Sequence, residues 1–175
     1  MSTEYRRIAA AFAAVVALFL ILLRYDHAHF GPRGGRLQWR RVAGHDRRAH
    51  QRAQLYLVLG EGRALRYPVG VGRVGRQWAG RSHIDGKHIR PAWAPPADIR
   101  RDSPNLPSVV PGGSPQNPMG AAALTLSGGD YAIHGTNNPG SIGGFVSYGC
   151  IRMHNQDIVD LYARVGVGTP VVVTR

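Results

Sequence analysis

Cys150 is the only cysteine in the chain, and His134 stands sixteen residues before it. A thiol attacks a carbonyl as its thiolate, and a neighbouring imidazole can take up the proton. The run Tyr131-Ala132-Ile133-His134-Gly135-Thr136 brings a histidine to the end of a predicted strand. The run Ser147-Tyr148-Gly149-Cys150-Ile151-Arg152 brings the thiol directly after a glycine. Gly149 allows a tight backbone turn and close approach of a substrate. Successive N–H groups of Tyr148, Gly149 and Cys150 could converge on a developing oxyanion. By residue type alone the alternative is a buried, inert thiol, the usual lot of a free cysteine. A single cysteine excludes an intrachain disulfide and a three- or four-cysteine zinc site.

Gly (23), Pro (12) and an apolar content of 43% suit a turn-rich, mainly β domain better than a helical bundle. Gln54 to Leu59 and Ala64 to Val71, joined by Gly60-Glu61-Gly62, read as a hairpin. Trp78 to Pro118 reads as a long, proline-heavy irregular segment, either a lid or groove wall or a loop whose tryptophans plug a core edge. Ala121 to Leu126 and Tyr131 to His134, around Ser127-Gly128-Gly129-Asp130, read as a second hairpin. Asn155 is a natural N-cap for a helix carrying Ile158, Leu161 and Val165, and Pro170 to Val173 closes as a strand. Arg73 and Arg76 fall in a glycine-rich loop without a dinucleotide fingerprint, and His83 and His154 read as surface histidines.

The first fifty residues have a different character. Ile8 to Leu23 is an unbroken apolar run preceded by Arg6 and Arg7. It predicts one membrane helix over residues 1–30 with its N-terminus in the cytoplasm. A cleaved signal peptide is the alternative, although no small-x-small site follows the run. Residues 31–52, rich in arginine, read as a basic flexible linker, and residues 53–175 as the catalytic domain. The domain is therefore expected in the periplasm, tethered by a single pass to the inner (cytoplasmic) membrane or secreted after cleavage. Net charge is +12, carried by arginine because Lys87 is the only lysine. No nucleic-acid partner is expected, since no recognition motif accompanies the charge.

Several blocks together resemble the L,D-transpeptidase catalytic domain (YkuD-type). They are Ile133-His134-Gly135-Thr136-Asn137, Ser141-Ile142-Gly143, Ser147 to Met153, and Gly168-Thr169-Pro170-Val171. Tyr67 to Gly72, Pro91 to Pro96 and Asn117 to Gly120 are similar to upstream blocks of that family, in the same order. The resemblance implies a β-sandwich-like fold with short helices and a loop-covered cleft. It implies that Cys150 attacks a peptidoglycan stem tetrapeptide, releases D-Ala and passes the acyl group to an amine, with His134 as base. It implies that the Gly135 carbonyl orients the imidazole and that Tyr148 and Gly149 serve the oxyanion. Arg152, Ser147 and Thr136 would meet substrate, and no metal or organic cofactor is expected. Many members carry histidine where this chain has Tyr148. Hydrolysis by the same acyl-enzyme (an L,D-carboxypeptidase) and an inactive, tethered peptidoglycan-binding module are the alternatives.

Overall fold

A computed structural model describes residues 33–36, as backbone, and 53–174. The apolar run Ile8 to Leu23 and most of the predicted linker lie outside these residues. Among the described residues no helix is long and apolar enough to cross a membrane.

The domain is mainly β. The strands β1 (Arg33–Arg36), β2 (Gln54–Gly60) and β3 (Arg63–Pro68) form one antiparallel sheet in the order β1-β3-β2. In β2 the alternation turns Leu55 and Leu57 towards the core and leaves Tyr56 and Val58 exposed. β1 falls inside the stretch expected to be a flexible spacer. Its four residues pair along the free edge of β3, where unpaired N–H and C=O groups favour a further strand.

After the short β4 (Val71–Gly72) comes β5 (Gly80–Ile89), followed by the helix α1 (Ala97–Asp102). Then come β6 (Ala122–Leu126), β7 (Ala132–His134), β8 (Phe145–Ser147) and β9 (Ile151–Arg152). The helix α2 (Asn155–Arg164) and β10 (Pro170–Val173) complete the domain. The larger sheet has the order β10-β5-β6-β7-β9, antiparallel except for the parallel pair β7/β9. β4 and β8 form a separate parallel pair.

The ten-residue β5 occupies the beginning of the segment that composition presents as irregular. Its sequence, GRSHIDGKHI, contains glycine, aspartate and lysine, which disfavour strands, and it buries only Ile84. Hydrogen bonding to β10 on one edge and β6 on the other holds it extended. β6 is central and correspondingly apolar, with Ala122, Ala123, Leu124 and Leu126 all buried.

Inner faces of both sheets feed one core. Tyr67 from β3, Ile84, Leu124, Ile133 and Met153 pack with Ile158 and Leu161 of α2. The Tyr67 hydroxyl crosses to α2, donating to Asp160 at 2.7 Å. The last carbonyls of α2, on Tyr162 and Val165, accept from the ammonium of Lys87 at 2.7 and 2.6 Å, which serves the helix C-terminus. The remainder of the proline-rich segment is tied together by buried Asn117, whose Nδ2 donates to the carbonyls of Pro91 and Pro111.

Candidate active site

Parallel pairing of β7 with β9 sets Ile133 opposite Ile151 and His134 opposite Arg152. Alternate residues of a strand share a side. Ile133 and Ile151 enter the core, so His134 and Arg152 occupy the other side. Cys150 directly precedes β9, and its thiol feels both the Ala132 N–H and the charge of Arg152. Residues two apart lie about 6.6 Å apart along a strand, and neighbouring strands about 4.8 Å apart. The topology therefore brings thiol, imidazole and guanidinium to one small area at the sheet edge.

His134 is buried, at 4% exposure. Its Nδ1 lies 2.7 Å from the Gly135 carbonyl and donates to it, which leaves the lone pair of the neutral ring on Nε2. Burial lowers its pKa from 6.5 to about 4, with Arg152 adding to the fall. The carbonyls of Gly135 and Pro118 oppose that shift.

Cys150 is half-buried, and its thiol faces the Asp130 carbonyl at 3.8 Å. Burial pushes the thiol pKa up, and the Ala132 N–H and the charge of Arg152 pull it down. At neutral pH the resting pair is thus thiol and neutral imidazole. Nucleophilic attack requires the proton to move as the new bond forms.

Arg152 is anchored through its backbone, which exchanges two hydrogen bonds with Gly70 at 2.8 and 2.9 Å. Its Nε is the one buried side-chain nitrogen or oxygen without a hydrogen-bond partner among the described residues. A cation with an unused buried donor beside the thiol suits an anionic group on an incoming ligand.

The turn carrying Cys150 is braced from beneath. Gly149 has φ +125°, and a Cβ there would stand 2.3 Å from Tyr131 Cε1. Tyr131 stacks on Trp78 at 5.0 Å between centroids, and Trp78 Nε1 donates to the Gly149 carbonyl at 2.9 Å. Trp78 thus packs on the core and props the turn.

Some of the expected roles change on this geometry. Ser147 is buried, at 1% exposure; its hydroxyl donates to the Cys150 carbonyl at 2.6 Å and accepts from Gly149 N–H at 3.1 Å. Ser147 therefore holds the turn, and substrate does not reach it. The Gly149 N–H is spent within that turn. Among the described residues no hydrogen-bond acceptor takes the N–H of Tyr148 or of Cys150, and these two remain free to donate. The Tyr148 side chain turns outward and donates its hydroxyl to Asp102 of α1. Thr136 is buried, and its Oγ1 accepts from Asn138 N–H at 3.0 Å. It shapes the loop and the wall of a cavity of ≈ 470 Å³ that neither Cys150 nor Arg152 lines.

Asn155 plays a part that residue type does not foretell. His154 is the N-cap of α2, and Asn155 is its first helical residue. The Asn155 side chain accepts from the N–H groups of Ala121 (3.0 Å) and Thr136 (3.1 Å) and donates to the Thr136 carbonyl (3.0 Å). Gly120 and Gly135 press against it so closely that a Cβ on either would lie 2.2 or 2.3 Å from its Oδ1. Asn155 thereby fixes the loop whose carbonyl orients His134. Asn155→Ala strands partly buried backbone groups, and we expect a loss of about 2–4 kcal/mol in urea unfolding.

In fold, the domain is that of L,D-transpeptidases. It superposes with a TM-score of 0.53 on the catalytic domain from the E. faecium L,D-transpeptidase acylated by ertapenem, at 18% identity, covering 70% of this chain and 90% of that one. An L,D-transpeptidase from Mycobacterium smegmatis gives a TM-score of 0.51 at 19% identity, covering 70% of this chain and 54% of that one. The chain belongs to the YkuD family, whose L,D-transpeptidase catalytic-domain model matches residues 47–173.

Similar curated proteins include the probable L,D-transpeptidase YbiS of Escherichia coli K12, 40% identical over 66% of this chain and 39% of that protein. The putative L,D-transpeptidase YkuD of Bacillus subtilis 168 is 55% identical over 35% of this chain and 38% of its own. The chain spans about two fifths of the length of these relatives.

Proposed function

We propose that this protein is a peptidoglycan L,D-transpeptidase with Cys150 as nucleophile and His134 as base. The observation that carries the reading is the shared side of the β7/β9 pair. That pairing sets the residue after the only thiol against the strand that ends in His134, whose Nδ1 is committed to Gly135 and whose Nε2 is left as an acceptor. Cys150 Sγ attacks the carbonyl at the L-centre of the third stem residue while its proton passes to His134. The N–H groups of Tyr148 and Cys150 take the developing oxyanion. His134 returns the proton to the departing D-Ala amine as the tetrahedral intermediate collapses to a thioester. An acceptor amine then attacks the thioester, and the sulfur regains its proton. The half-buried guanidinium of Arg152 receives a stem-peptide carboxylate. The apolar run Ile8 to Leu23 tethers the chain to the cytoplasmic membrane, with the catalytic domain on the periplasmic side.

The full chain, purified and mixed with a tetrapeptide-stem muropeptide and D-Met, tests this by mass spectrometry. Release of D-Ala, an acyl adduct on Cys150 and a D-Met-terminated product are expected. Release of D-Ala with a tripeptide as the sole product would make the enzyme a hydrolase. No adduct and no D-Ala would leave the domain a binding module.

A further inference from the structure

Tyr148 adjoins the nucleophile's turn, yet its ring and hydroxyl are engaged elsewhere. The hydroxyl donates to Oδ2 of Asp102, the same oxygen that receives Arg73 Nη2 at 2.9 Å. The Arg73 guanidinium lies 4.0 Å from the Tyr148 ring centroid and that of Arg76 lies 5.5 Å away. Arg76 pairs with Asp98, one turn earlier on α1. The Arg73 backbone N–H donates to the Ser147 carbonyl at 2.9 Å, where the nucleophile's turn begins. One exposed ion pair holds little. Here a single carboxylate oxygen gathers a phenol and a guanidinium, and that guanidinium also stacks on the phenol ring. Three chain segments meet at this cluster: the loop after β4, the helix α1 and the turn of Cys150.

We propose that Tyr148 is a positioning residue that latches the Ser147–Cys150 turn to α1 through Asp102 and Arg73, and that it takes no part in proton transfer. Its hydroxyl hydrogen is already given to a carboxylate, so it has none to hand to the site. Trp78 and Tyr131 support the turn from beneath, and the latch holds it from outside. With both in place, the N–H groups of Tyr148 and Cys150 keep a fixed aim. Opening the latch frees the turn, exposes the half-buried sulfur and disorders those two donors. The two consequences run in opposite directions: the thiol becomes easier to alkylate, and turnover becomes slower.

The inference rests on Cys150 being the nucleophile, but alkylation reads the latch without any wall substrate. Tyr148→Phe, Asp102→Ala and the double variant are compared with the unaltered full chain. Rates of D-Ala release and of Cys150 carbamidomethylation by iodoacetamide are measured on each. Each single change should lower kcat about tenfold with KM within about twofold. Each should also accelerate alkylation several-fold, and the double variant should be no worse than the stronger single. Raised salt should move the unaltered protein towards Asp102→Ala behaviour in both readouts.

Asp102→Ala with unchanged alkylation and unchanged kcat would overturn the latch. So would a Tyr148→Phe effect confined to a displaced limb of the pH–rate profile, which marks a proton carrier. If no variant and no unaltered protein releases D-Ala, the acyl-transfer reading fails while the alkylation series still decides the latch.

Discussion

Cys150→Ala should reduce D-Ala release to background, a fall of at least about 10³-fold, and abolish the acyl adduct. No other thiol exists in the chain to take over. On the proposed mechanism, what survives is transition-state binding alone, by the backbone N–H groups at positions 148 and 150 and by Arg152. The substitution should be nearly silent in stability, within about 1 kcal/mol by urea titration, because the sulfur is half-buried at a sheet edge. Full turnover by the alanine variant would remove the nucleophile from the mechanism. A large loss of stability would mean that the sulfur serves the core.

His134→Gln should lower kcat by about 10²–10⁴-fold, the usual range for losing a general base. It should also change how the protein responds to acid. The folded-state pKa of about 4 lies below the ordinary 6.5 because the ring is buried. The unfolded chain therefore takes up a proton on His134 at a higher pH than the folded one. The stability at stake is fully present above pH 6.5 and is lost as pH falls through 4, amounting to about 3 kcal/mol at most. Urea midpoints of the unaltered protein should drop across that window, and His134→Gln should flatten the slope. The same depression keeps the base unprotonated, so the acid limb of kcat should lie near pH 4. An acid limb near 6.5 that persists in His134→Gln would show that another group governs the reaction.

The centre of this site was legible in the sequence because its signals are local. A histidine ending an apolar strand and a Gly-Cys turn sixteen residues later follow from chain order and residue type. The two hairpins and α2 were equally readable from alternation and helical spacing. β5 was not, since its residues disfavour strands and its shape comes from two neighbours distant in sequence. The supports of the site were hidden for a similar reason. Asn155 at the start of a helix looks like a cap, and only the folded chain shows its amide bridging two loops. Ser147 and Thr136 were expected as substrate contacts from the family resemblance, whereas burial commits both to the backbone around them. Asp102 and Trp78 lie in segments whose composition gives no hint that they converge on the turn of Cys150.

Lys87 bears on the choice of acceptor. An activated thioester is open to any neutral amine within reach, including those of the enzyme that made it. This chain has one lysine, whose ammonium is bound between two carbonyls and faces the Tyr162 ring at 4.2 Å. Apart from the histidines, the other basic side chains are arginines, which stay protonated and do not attack. Under the proposed acyl transfer, the single lysine is thus engaged and the arginines keep the surface basic without offering the activated acyl group a competing amine.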